Sequence, residues 1–340
     1  MSTTATTPSA LAVRALQRED IAAAVDIDAA YSGRTRRAYF DRRLSAALRQ
    51  PELHVQFAID EGGSLAGYAL ARVLEGEFGR SRPALRLEAI GVRDPAQKRG
   101  IGRALHAALE QAARKRSIAE MRTAASWRNT AMLGFLGRLG YALAPALVLE
   151  CPVHGAPLGA AEAPVASPKR ETPGDANDYS APAANDYEPL ARDRAEVRLL
   201  QGKDVEDVIR IDRHVTGTER RDYMQHALDE ALRDSAIRIS LAARKDGVLA
   251  GFVMARADLG DFGRAEPAAV LDTIGVDPGF AHGGIGRALL SQLFVNLQAL
   301  RMERVETMVA ADNLELLRFF YGVGFQPAQR LALLKPLQPA

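Results

Sequence analysis

LEAIGVRDPAQKRGIGRALHAAL at 87–109 recurs as LDTIGVDPGFAHGGIGRALLSQL at 271–293, 184 residues further on and without a gap. The same offset pairs Asp28 with Asp212, Tyr39 with Tyr223, Gly67 with Gly251, Phe78-Gly79-Arg80 with Phe262-Gly263-Arg264, Asn129 with Asn313, and Gly140 with Gly324. One site plan is therefore written twice. Solenoid and propeller repeats have periods of roughly 20–50 residues, so this longer period makes each copy a domain in its own right. The expected organisation is a disordered stretch at 1–10, a first domain at 11–153, an Ala/Pro-rich linker at 154–194 holding two copies of Ala-Asn-Asp-Tyr, and a second domain at 195–340.

Periodicity orders the elements alike in both halves. In the first, a strand over 11–16 leads into helices over 19–30 and 37–49. A hairpin of 55–60 and 66–74 turns at Glu61-Gly62-Gly63, and a strand over 84–92 follows. Then come a helix over 102–116, a strand over 120–125, a helix over 129–139 and a strand over 146–151. The fold class is α/β, each half a mixed, mostly antiparallel sheet with helices on both faces. Each half is expected to bury a core of its own.

Composition narrows the function. A net charge of +2 from 44 basic and 42 acidic residues gives no footprint for nucleic acid or an anionic membrane. Arg114-Lys115-Arg116 lies at the end of a helix, where cations favour the dipole. The single cysteine, Cys151, has no disulfide partner in the chain, and the start lacks the pattern of a signal peptide, so the expected compartment is the cytoplasm. Cys151-Pro152-Val153-His154 has no second ligand pair at zinc-site spacing, and no metal is expected.

The repeated motif joins a strand to a helix. The first turn of a helix presents backbone N–H groups without intrahelical acceptors, and the macrodipole adds partial positive charge, so an anion such as a diphosphate is stabilised there. Gly100 and Gly102 would let a ligand approach the backbone, and Lys98 and Arg99 would add charge at the rim. The same glycines suit a tight turn equally well. A Rossmann fingerprint would need a small residue where Leu105 and Leu289 stand, and a P-loop would need Gly-Lys-Ser/Thr, which is absent.

Gln97-Lys98-Arg99-Gly100-Ile101-Gly102 resembles the signature of the GNAT superfamily of N-acetyltransferases, Arg/Gln-x-x-Gly-x-Gly/Ala between the fourth strand and third helix. An Asn opening a later helix that ends in Gly-aromatic completes the likeness, as Asn129 with Gly140-Tyr141 and Asn313 with Gly324-Phe325. The resemblance implies two tandem GNAT-like domains that use acetyl-CoA as acyl donor. Its pyrophosphate would lie on Gln97, Lys98, Arg99, Gly100, Ile101, Gly102 and Arg103, and its pantetheine arm along Ile90, Gly91 and Val92, with Asn129 near the thiol. The second set is Ile274, Gly275, Val276, His282, Gly283, Gly284, Ile285, Gly286, Arg287 and Asn313. There Ala281 replaces the signature Gln, so the first half has the stronger case.

The implied activity is transfer of acetyl to a primary amine of a small molecule or protein, by direct attack in a ternary complex and without metal. An amine of pKa about 10.4 is protonated at neutral pH, and a positioned base contributes about 10²–10⁴ in rate. The candidate bases are Glu88 and Asp272, which strand alternation puts on the face of Ile90/Val92 and Ile274/Val276. Each could equally be a scaffold carboxylate paired with arginine. Where many relatives have a Tyr acid this chain has Leu136 and Phe320; Tyr321, one residue on, is the candidate acid, and packing is its alternative. Arg36, Arg37, Tyr39 and Arg80, matched by Arg220, Arg221, Tyr223 and Arg264, suggest either recognition of an acidic substrate or pairing with Asp28, Asp41, Asp212 and Asp222 as architecture. The competing functions are a non-catalytic acyl-CoA-binding or regulatory protein, and one active half beside one structural half. A homodimer is left open.

Overall fold

The computed structural model describes residues 11–154, 195–233, 238–258 and 267–338. The expectations for 1–10 and for 155–194 lie outside the described residues, as does Phe262-Gly263-Arg264. The first half contains β1 (Val13–Ala15), α1 (Ile21–Ser32), α2 (Arg37–Arg49), β2 (His54–Glu61), β3 (Ser64–Leu74), β4 (Ala84–Val92), α3 (Ile101–Lys115), β5 (Glu120–Ser126), α4 (Thr130–Arg138), β6 (Ala142–Leu143) and β7 (Ala146–Pro152). The second repeats the order as β8 (Glu196–Leu199), α5 (Val205–Thr216), α6 (Arg221–Arg233), β9 (Arg238–Lys245), β10 (Val248–Asp258), β11 (Ala268–Val276), α7 (Ile285–Ala299), β12 (Arg304–Ala310), α8 (Leu314–Gly322), β13 (Gln326–Pro327) and β14 (Arg330–Pro336).

Local chemistry accounts for the element ends. Gly33 and Gly217 stop α1 and α5 in the left-handed conformation. The carboxamides of Asn129 and Asn313 cap α4 and α8 by accepting from the N–H of Met132 and Leu316 at 3.0 and 3.1 Å. Along α3 the apolar residues Ile101, Leu105 and Leu109 recur every fourth position and are buried against the sheet. With Leu85, Leu87 and Met121 they form a core on one sheet face; α1 and α2 enclose a second core on the other face, around Ile27, Phe40 and Tyr68.

Two seven-stranded sheets result, ordered β1-β2-β3-β4-β5-β14-β6 and β13-β7-β12-β11-β10-β9-β8. Among the described residues only β4–β5 and β11–β12 are parallel pairs, so both sheets are mixed and mostly antiparallel. The sequence reading assigns each last strand to its own half, and the structure corrects this. β7 of the first half pairs with β12, from Ala146↔Ala310 to Pro152↔Arg304. β14 of the second half pairs with β5, from Arg330↔Ser126 to Pro336↔Glu120. Two residues separate β6 from β7, and two separate β13 from β14; within each the chain passes from one sheet to the other.

The cores follow the exchange. Leu333 and Leu337 belong to the first half's core, and Leu149, Cys151 and Val153 to the second's. Arg330 spans both sheets, donating to both carboxylate oxygens of Glu306 at 2.9 Å and to the carbonyl of Ala124 at 2.8 Å. Lys335 on β14 is ion-paired with Glu110 of α3. No helix among the described residues is long and apolar enough to cross a membrane.

Candidate active site

The site begins where neighbouring parallel strands part. β4 and β5 are in register only at Leu85↔Met121 and Arg86↔Arg122, and the Thr123 hydroxyl donates to the carbonyl of Leu87 at 3.0 Å where pairing ends. β11 and β12 behave alike, with Thr307 donating to Leu271 at 3.0 Å. Past these points one backbone edge of 88–92 and of 272–276 is not claimed by the neighbouring strand. Such an edge can accept an extended amide chain.

A bulge at the split changes which way the candidate bases face. The register between β3 and β4 shifts at Leu70/Ala71, opposite Glu88, and that between β10 and β11 shifts at Met254/Ala255, opposite Asp272. Leu87 and Ile90 therefore both pack on the α3 side, whereas Ala89 packs on the α1/α2 side and Glu88 meets Arg43 of α2. Strict alternation, which puts Glu88 on the face of Ile90 and Val92, fails for this reason.

Both carboxylates are held by arginine. Arg43 Nε donates to Glu88 Oε2 at 2.5 Å, and Arg256 stands 3.1 Å from Asp272. Burial alone would raise the Glu88 carboxyl, but Arg43, His54 and Arg72 outweigh it and hold it below the usual carboxylate range. Tyr321 is largely exposed on α8 while its neighbour Phe320 is buried.

The strand then runs into the helix mouth. Lys98 and Gly100 adopt positive φ of 60° and 87°, and His282 and Gly284 take 59° and 80°. The first bonds of α3 and α7 run from Ala104 to Gly100 and from Ala288 to Gly284, so the N–H groups of 101–103 and 285–287 face out of the helix ends. Lys98, Arg99 and Arg103 are exposed around the first mouth, with Arg99 paired to Glu61 at 2.7 Å. At the second mouth the corresponding residues are His282, Gly283 and Arg287. Gly102 and Gly286 serve packing as well, since a Cβ there would stand 3.3 Å from Phe135 and 3.0 Å from Phe319.

The sequence reading missed Tyr31. Its hydroxyl donates to Val92 O at 2.5 Å and accepts from Gln97 Nε2 at 2.5 Å, tying the end of α1 to the mouth. Its equivalent in the second half is Val215, so the repeat carried no sign of it. Gln97 also donates to Asp94, and its carboxamide is thus engaged within the loop.

Most of the proposed acceptor-side arginines are paired within the protein. Arg36 donates to Asp28 at 2.7 Å and lies over the Tyr39 ring at 4.9 Å; Arg220 donates to Asp212 at 3.0 Å and lies over Tyr223 at 5.3 Å. Arg37 and Arg221 are exposed, near Asp41 at 3.7 Å and Glu206 at 2.7 Å. Arg80 differs, because it faces a space between the halves. Arg80 and Arg122 share one carboxylate, that of Glu120.

The loop after β3 reaches across to the second half. Glu77–Gly79 packs on β11 and β12, and Arg220 donates to the carbonyl of Gly76. Glu77 is 2% exposed; burial would raise its carboxyl, but Arg72 and Arg256 hold it low. A cavity of about 290 Å³ lies between the halves, and both Thr123 and Thr307 line it.

The model of the acetyltransferase (GNAT) family matches residues 21–141 and again 205–325, and the chain belongs to that family. Among solved structures it is similar to a tandem GNAT protein from the clavulanic acid biosynthesis pathway, 17% identical, with a TM-score of 0.61 over 97% of this chain and 100% of that one. A GCN5-related N-acetyltransferase from Sphaerobacter thermophilus is 14% identical, with a TM-score of 0.56 over 98% of both chains. An N-myristoyltransferase of Saccharomyces cerevisiae, solved with bound myristoyl-CoA and inhibitors, is 12% identical, with a TM-score of 0.54 over 97% of this chain and 80% of that one. At these identities the likeness is one of fold. No curated protein matches the sequence.

Proposed function

We propose that the chain is an acetyl-CoA-dependent N-acetyltransferase that moves acetyl to a primary amine by direct attack in a ternary complex. The carrying observation is the strand split leading into a helix mouth, present in both halves. A free strand edge beside outward-facing N–H groups fits a ligand made of an extended amide arm and a diphosphate. Acetyl-CoA would supply the activated thioester. The open edge of 88–92 would bind the arm, and the N–H groups of 101–103 with Lys98 and Arg103 would take the diphosphate. The cation-rich first mouth makes the first half the stronger donor site.

Glu88, at the bulge, is the proposed acceptor of the amine proton. Its ion pair with Arg43 supports a second reading, in which the chain binds acyl-CoA without turnover and Glu88 is scaffold. Calorimetric titration of acetyl-CoA and assay of thiol release over an amine panel separate the two. We expect Lys98→Glu with Arg103→Glu to weaken acetyl-CoA binding at least about tenfold, because each reversal puts like charge beside the diphosphate. Glu88→Gln should leave that binding intact and lower kcat about 10²-fold or more. Unchanged kcat in Glu88→Gln would remove the base role, binding without turnover would favour the second reading, and absence of binding would overturn both. Gly102 is a poor probe of the mouth, since any side chain there also displaces Phe135.

A further inference from the structure

The cavity between the halves collects charge unevenly. From the first half it is lined by Arg80, Arg86 and Arg122, and from the second by Glu306 and Asp312. Glu306 is committed to Arg330 through both oxygens. Glu120 is shared between Arg80 and Arg122, so one carboxylate serves two guanidiniums. Arg80 Nε is buried without a hydrogen-bond partner, and burial, together with repulsion from Arg122, holds the Arg80 pKa below its ordinary value. Crowded, desolvated guanidiniums of this kind favour an incoming anion.

Position links the cavity to the chemistry. Arg86 and Arg122 are the last paired residues before β4 and β5 separate, and Thr123, also on the lining, marks the parting point. A molecule anchored on these arginines therefore lies at the split, where the first half's thioester is proposed to arrive. The enclosure by both halves and the volume of about 290 Å³ suit a small metabolite better than a protein chain.

We propose that this cavity is a composite acceptor pocket for a small primary amine that also carries a carboxylate, held at that carboxylate by Arg80 and Arg122. This rests on the transferase reading above. Asp312 supplies a counter-charge for the ammonium as it enters. After the ammonium passes a proton to Glu88, the amine lone pair forms the C–N bond at the thioester carbonyl, the C–S bond breaks, and the second proton, released from the new amide nitrogen, passes to the departing thiolate. The second half thus contributes a wall of the first half's pocket.

The test uses pairs of amines that differ only in the carboxylate: lysine and cadaverine, ornithine and putrescine, γ-aminobutyrate and propylamine. Calorimetric binding to the intact chain and thiol release from acetyl-CoA are measured for each. The carboxylated member of at least one pair should bind and turn over at least about tenfold better than its partner. Arg122→Gln or Arg80→Gln should raise its KM by a similar factor and leave acetyl-CoA affinity unchanged. Arg122→Lys should recover part of the loss, and the melting midpoint of each variant verifies that it folds. Equal use of the decarboxylated partners, an Arg122→Gln variant with unaltered KM, or acetyl-CoA binding without binding of any carboxylated amine would overturn the proposal. Carboxylated amines that bind in an Arg122-dependent way without any acetyl-CoA binding would instead defeat the transferase reading and leave the pocket standing.

Discussion

Two buried histidines make stability depend on pH. His106 is 1% exposed, with one ring nitrogen 3.1 Å from the Tyr141 hydroxyl and the other 3.1 Å from Glu110. Burial pushes its pKa down from 6.5 to about 4, and His54 is lowered to about 4 by burial and by Arg43. The unfolded chain takes up these protons near pH 6.5, while the folded chain resists until about pH 4. The stability is thus complete above pH 6.5 and is lost as pH falls toward 4, by roughly 3 kcal/mol for each site at most. Urea unfolding from pH 7 to 4 should show this slope, and His106→Leu, which copies Leu290 of the second half, should reduce it; an unaltered slope would refute the assignment. Backbone positions were legible where a motif fixed them, as at Gly100 before α3 or Asn129 opening α4. Side-chain placement was not legible at Glu88, where a bulge overrode the two-residue period, nor at Tyr31, whose contacts arise only once α1 meets the loop after β4.

At the level of elements, the order of helices and strands was readable because hydrophobic period and caps are local signals. The partners of β7 and β14 were not. ALVLECP at 146–152 and RLALLKP at 330–336 hold equivalent places in two nearly equivalent sheets, so either socket satisfies their apolar pattern. The exchanged placement is supported by the two-residue connections and by contacts such as Lys335 with Glu110 and Arg330 with the Ala124 carbonyl. Removing 330–340 should therefore expose β5 of the first half, although the deletion is in the second. Hydrogen exchange would register this as lost protection over 120–126; protection lost only within the second half would contradict the pairing.

For the whole molecule, duplication and family were plain from the sequence, since a long gapless repeat survives any detail of packing. Fragment behaviour follows from the exchange instead. We propose that 1–153 and 195–340, expressed apart, melt well below the intact chain and associate into a one-to-one complex when combined. Sedimentation and thermal melting would check this, and two monomeric fragments as stable as the parent would defeat it.

The exchanged strands also bear on synthesis. Synthesis runs from the N-terminus, and the strand that completes the first sheet, β14, comes late, at Arg330–Pro336. The partner it needs, β5, was made some two hundred residues earlier, an order of loop closure that is slow to find. Until β14 is made the first-made half waits with an open edge, so its sheet is completed only after the second half has been synthesised.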